Sequence, residues 1–128
     1  MLRAVVDLHI AEHLARGPLT AAEVAAREGS AVDSTFRLMR AAVMVGMLTV
    51  DDDNRFHSTA MLDTLRADHP LSQRAFVSAL TGPGHWLPWN SITTTVRTGQ
   101  SQVKETFGMD LFEYYDRHPV EQRHSRRL

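Results

Sequence analysis

The sequence predicts a mainly α fold, a winged helix-turn-helix-like helical domain with one short β-hairpin, and three observations predict it. Apolar residues recur at helical spacing through most of the 128 residues, punctuated by glycine and proline stops. A polar turn, Asp51-Asp52-Asp53-Asn54, divides two short strand-like runs, LTV and RFHS. The order of helix, short helix, longer helix and hairpin is that of a winged helix-turn-helix.

The first segment, LRAVVDLHIAEHLARG, carries Leu2, Val5, Val6, Ile10 and Leu14 on one helical face. Gly17-Pro18 stops it, because glycine takes a left-handed cap and proline cannot continue a helix. Thr20 and Glu23 form a capping box that opens an alanine-rich helix ending at Gly29. A third helix starts at Ser30, with Phe36, Met39, Val43 and Met47 as its expected buried face. After the hairpin, Thr59 caps the helix AMLDTLR.

Beyond His69-Pro70 the pattern is helical over 71–81, broken by Gly82-Pro83-Gly84. A further helix covers residues 86–97, with Pro88 tolerated in its first turn. A final aromatic-rich helix, DLFEYYDRH, is stopped by Pro119. Residues 1–119 thus read as one domain, and 120–128 as a basic, frayed tail.

Bulk composition narrows the function classes. Apolar residues make up 43% and charged residues 23%, an ordinary balance for a soluble globular chain, so a cytoplasmic protein is expected. A net charge of −1 gives no bulk attraction to nucleic acid or anionic membrane. The absence of cysteine rules out disulfides and thiolate metal ligands. No apolar run is long enough for a membrane span.

Several stretches together resemble the N-terminal dimerisation region of bacterial S-adenosylmethionine-dependent O-methyltransferases of polyketide and phenolic natural-product pathways. They are LRAVVDLHIAEHLARGPLTAAEVAAREGS, RLMRAAVMVGML, FHSTAMLDTLRADHP, HWLPWNSITTTVRTGQ and FGMDLFEYYDRHP. The resemblance implies a winged-helix-like module that forms a homodimer and supplies one wall of the acceptor pocket. It also implies a chain that begins inside the family's first long helix and stops before the Rossmann-like domain. None of the seven glycines forms G-x-G-x-x-G after a strand, so no cofactor is expected in this chain. S-adenosylmethionine enters only if a catalytic domain is supplied elsewhere, and no methyltransferase activity is expected from this chain alone.

Three stretches carry side chains with site chemistry. His9-Ile10-Ala11-Glu12-His13 matches H-x-x-E-H, a zinc-hydrolase pattern, but it lies on an apolar helix face with no third ligand in view. Arg37 and Arg40 on the third helix would face DNA, yet the wing tip offers three aspartates and the only lysine is Lys104. No nucleic-acid partner is expected, although a winged-helix regulator stays open as an alternative.

The better candidate is aromatic. His85, Trp86, Trp89, Phe107, Met109, Phe112 and Tyr115 are expected on two facing helices, able to sandwich a flat polycyclic, polyketide-like ligand. Core packing is the competing reading of the same stripe, and a cofactor-independent binder or catalyst built on it is a further alternative. Asn90, Arg97 and Asp110 are additional polar candidates, whereas Asp68, His69 and His118 read as caps or surface groups.

Overall fold

The computed structural model describes residues 1–125. The chain is mainly helical, with one small antiparallel sheet, and it divides into two compact units, Met1–Arg74 and residues 75 onward.

In the first unit, helix α1 spans Leu2–Asp7 and helix α2 spans Ile10–His13. The sequence predicts one continuous helix here. It is broken because His9 takes a left-handed conformation, φ 53°, uncommon for a residue with a side chain. Val5, Val6, Ile10, Ala11 and Leu14 are all buried, so the apolar stripe is preserved across the break.

Strand β1, Leu19–Thr20, leads straight into helix α3, Ala21–Glu28. The capping box is present in full. The Thr20 hydroxyl accepts from the Glu23 amide at 3.2 Å, and the Glu23 carboxylate accepts from the Thr20 amide at 2.8 Å. Gly29, at φ 73°, closes the helix as a left-handed cap.

Helix α4, Val32–Met44, packs chiefly on α3. Its buried face is Thr35, Met39 and Ala42, rotated from the Phe36–Met39–Val43 face expected. Phe36 sits at the rim instead, edge-on to Phe56 with ring centroids 6.0 Å apart. The rotation leaves Thr35 buried, and its hydroxyl is satisfied by the Ala31 carbonyl and by Ser30.

Strands β2, Leu48–Val50, and β3, Arg55–Ser58, form the expected hairpin. Strand β1 adds to β3 on its other side, giving the order β1-β3-β2. The two-residue β1 carries too little periodicity to be seen in sequence. Phe56 on the central strand is fully buried and anchors the sheet to the helices. Truncating such a side chain costs about 3–5 kcal/mol. Thr59 caps helix α5, Ala60–Asp63, and also donates to the Met47 carbonyl at 2.8 Å, fastening that helix to the start of the hairpin.

Helix α6, Arg74–Leu80, opens the second unit three residues later than the pattern suggests, the Gln73 amide being held by the Thr64 carbonyl. Gly82 is the N-cap of helix α7, Pro83–Trp86, so Gly-Pro-Gly starts a helix as well as ending one. The single helix expected over 86–97 is three pieces. The end of α7 runs into a 3₁₀ segment, Leu87–Ser91, and then helix α8, Ile92–Thr98. Pro88 accounts for the change of hand-tightness, since it removes the donor an α-helix would use there.

Helix α9, Val103–Phe107, was not anticipated, and Gly108 at φ 70° ends it. Asp110 caps helix α10, Leu111–Arg117, through a 2.9 Å bond from the Glu113 amide. Pro119, expected to end the ordered chain, opens helix α11, Pro119–Ser125. A proline at the first helical position loses no intrahelical bond. Most of the predicted frayed tail is therefore helical, and its last three residues lie outside the described ones.

Candidate functional site

The H-x-x-E-H residues are spent on structure. With His9 outside any helix, its Nδ1 and the Nε2 of His13 both reach Glu28 at the end of α3, at 3.2 and 2.5 Å. The His13 hydrogen bond holds the Glu28 carboxyl below the ordinary range, with His9 adding to it against the opposing effect of burial. Glu12 turns the other way, taking the Arg74 guanidinium at 2.6 Å and the Ala67 amide at 3.2 Å. Among the described residues no group of three or more histidines and carboxylates is arranged to hold a metal ion.

The hairpin turn is equally self-contained. Asp51 accepts from the amides of Asp53 and Arg55 at 3.0 and 2.9 Å and from His57 Nε2 at 2.8 Å. These bonds, the His57 one foremost, pull its pKa down. Arg37 and Arg40 are exposed on α4. Asp68 pairs with Arg66, and His69 accepts from the Leu71 amide, so both are turn residues.

The second unit holds the aromatic residues, and it divides them. Tyr114 and Tyr115 of α10 are buried, edge to face at 5.7 Å. Phe107 stacks on Tyr114 at 4.2 Å, and His118 covers the other side at 4.0 Å, its Nδ1 bonded to the Tyr114 carbonyl. Gly84 of α7 makes this packing possible. A Cβ there would stand 2.9 Å from both Tyr114 Cε1 and the Tyr115 hydroxyl oxygen. Glu121 of α11 ties the group together, accepting from the Gly84 amide at 3.0 Å and from the Tyr114 hydroxyl at 3.1 Å. Burial, then the Glu121 contact, pushes the Tyr114 hydroxyl up to about 12.

His85 connects this packed group to an open cleft. The Tyr115 hydroxyl bonds His85 Nδ1, the rings lying 5.8 Å apart. His85 and Trp89 are walls of a cleft of about 340 Å³, completed by residues including Pro88, Ile92, Val103 and Leu111. Phe112, strongly exposed, lines an adjoining cleft of about 480 Å³ with Lys104 and Asp110.

Of the seven residues singled out by sequence, His85 and Trp89 thus share one cleft and Phe112 borders the next. Phe107 and Tyr115 belong to the packed group behind it, Met109 is half-buried, and Trp86 is exposed. Part of the stripe is packed and part of it borders the clefts or solvent. Sequence reasoning missed Gly84, Tyr114 and Glu121.

With this arrangement in view, comparison with known proteins is decisive for family. Residues 1–80 match the model of the O-methyltransferase dimerisation domain. The chain belongs to the O-methyltransferase dimerisation domain family. Similarity to relatives of this family continues through the second unit. A Streptomyces carzinostaticus 2,7-dihydroxy-5-methyl-1-naphthoate 7-O-methyltransferase is 32% identical over 120 residues, 93% of this chain and 36% of the relative. A Streptomyces davaonensis 8-amino-8-demethylriboflavin N,N-dimethyltransferase is 35% identical over 117 residues, 91% of this chain and 34% of the relative.

Solved structures agree. A methyltransferase of calicheamicin biosynthesis aligns with a TM-score of 0.86 at 27% identity, over 97% of this chain and 37% of that one. An O-methyltransferase of neocarzinostatin biosynthesis, in complex with S-adenosylmethionine and 2-hydroxy-5-methyl naphthoic acid, aligns with a TM-score of 0.76 at 31% identity, covering 96% and 38%. The chain spans about a third of the length of the curated relatives it matches. No helix among the described residues is long and apolar enough to cross a membrane.

Proposed function

We propose that this chain is the part of a natural-product O-methyltransferase that pairs two copies of the protein and forms one wall of the pocket for an aromatic acceptor. The family match over residues 1–80 carries the pairing. The apolar faces of α1, α2 and α3, expected to mate with a second copy, are largely consumed within the first unit's own core. The apolar side chains left exposed include Val32, Phe36, Met44, Val45, Met61 and Leu71, and Met44 is 86% exposed. Burying such residues against a second copy is the favourable event that pairing requires.

The second unit supports the pocket wall. A cleft of about 340 Å³ is within the range of small-molecule sites, and its apolar lining with a few polar groups suits a flat ring system. The naphthoate and flavin named in two relatives are molecules of that shape.

The residues described do not fit the methyl donor. That group asks for a strand, a glycine loop and a helix N-terminus in succession. Here Gly29, Gly99 and Gly108 close helices in left-handed conformations, and Gly82 caps a helix of only four residues. No step through S-adenosylmethionine is therefore derived for these residues.

Sedimentation velocity of the 128-residue protein at tens of micromolar tests the pairing; a dimer is expected, and a monomer throughout overturns it. Titrating 1-naphthoate while following the fluorescence of Trp86 and Trp89 tests the wall. Saturable change is expected, and a flat trace refutes the wall.

A further inference from the structure

The hydrogen bond between Tyr115 and His85 joins a buried hydroxyl to a ring in the cleft wall, and its direction decides what the cleft offers a ligand. The Tyr115 hydroxyl is buried, which raises its pKa and keeps its proton in place. Burial outweighs the opposing influence of Ser125. That hydroxyl can donate to Nδ1 when the ring nitrogen carries no proton of its own. In neutral imidazole the proton then sits on Nε2.

Nε2 takes no hydrogen bond from the described residues, and no buried side-chain nitrogen or oxygen among them lacks a partner. That nitrogen is therefore open to the cleft mouth or to solvent, not sealed in the core. His85 itself is half-buried and is part of the cleft wall beside Trp89. Gly84 contributes by its missing side chain: a Cβ there would collide with the Tyr115 hydroxyl that orients the ring.

We propose that His85, held by Tyr115 with its proton on Nε2, is the hydrogen-bond donor of this cleft, which therefore selects flat aromatic molecules carrying an oxygen acceptor at the ring edge. The acceptor class is a carbonyl, carboxylate or phenolate. Tyr115 is a positioning residue and does not touch the ligand. This inference rests on the reading of the cleft as an aromatic pocket and adds the chemistry that pocket demands.

The test uses two neutral ligands of nearly the same shape, 2-acetylnaphthalene and 2-ethylnaphthalene, titrated into the 128-residue protein with tryptophan fluorescence as the readout. One net hydrogen bond corresponds to about a five- to tenfold preference for the acetyl compound. H85F keeps the ring bulk and is expected to bring the ratio to about one while still binding both. Y115F is expected to lower the ratio and to shift the His85 imidazole ¹⁵N signals away from the Nε2-protonated pattern.

Equal binding of the two ligands by the unaltered protein, or a preference that survives H85F, overturns the proposal and leaves the pocket standing. Unchanged ¹⁵N signals in Y115F overturn the positioning role of Tyr115. Failure of both naphthalenes to bind overturns the proposal together with the pocket reading beneath it.

Discussion

Gly84 and Tyr115 approach so closely that a single added carbon on the glycine would stand 2.9 Å from the tyrosine hydroxyl oxygen. Tyr114 lies equally near on the other side. Helix α7 can meet α10 at this distance only because residue 84 has no side chain, and its amide is then available to Glu121 at 3.0 Å.

Gly84→Ala should accordingly overpack the second unit. Neither tyrosine ring can retreat without losing its own hydrogen bond, so a loss of about 1–3 kcal/mol is expected. Urea denaturation followed by tyrosine and tryptophan fluorescence measures it, and an unchanged midpoint would show that the helices separate freely.

Glu28 should make the stability of the first unit sensitive to acid. Its folded pKa lies below the ordinary value of 4.5, so the carboxylate contributes stability above that value and loses it as pH falls through the lower folded one. Glu28→Gln is expected to cost less than about 1 kcal/mol at neutral pH, since solvent screens the pair. Thermal melts of both proteins from pH 7 to pH 3 should converge at the acidic end. Parallel curves would mean the histidine contacts contribute nothing.

The hairpin tip distinguishes one aspartate from its neighbours. Asp51 accepts from Asp53, Arg55 and His57, whereas Asp52 and Asp53 are exposed at the turn. Asp51→Ala should therefore speed hydrogen exchange at the amides of Asp53 and Arg55, and Asp52→Ala should leave both rates alone. Equal effects from the two substitutions would contradict the assignment.

Met44→Asp combined with Val45→Asp places charge on the most exposed large apolar side chain of the first unit and on its half-exposed neighbour. Under the pairing proposed above, the sedimentation coefficient should fall to that of a monomer while far-ultraviolet circular dichroism stays the same. Retention of a dimer would move the mating surface elsewhere.

Much of this architecture was legible in the letters. Thr20 and Glu23 announce their helix because a capping box is a local device, and Thr59 does the same for α5. The hairpin could be read because Asp51 to Asn54 is a run of turn formers between two strands. What failed depended on tertiary context. His9 adopts φ 53° because two histidines close on Glu28 nineteen and fifteen residues away, which no window of helical period contains. The face of α4 turns because Thr35 finds local hydroxyl and carbonyl partners and so tolerates burial.

The candidate site was legible as a composition and not as a geometry. His85, Trp89 and Phe112 were identifiable as chemically interesting side chains, but their division between two clefts follows from the Pro88 break. Glu121 was invisible because it lies past Pro119, where proline suggests a stop when it is in fact a permissible first residue.

Glu121 also determines where this polypeptide can be cut. A recombinant version shortened to end at the proline would forfeit the carboxylate that bridges two helices, freeing the Gly84 amide and the Tyr114 hydroxyl together. Anyone trimming the molecule for crystals or spectroscopy should keep that last helix, because the residue next to His85 is steadied from there.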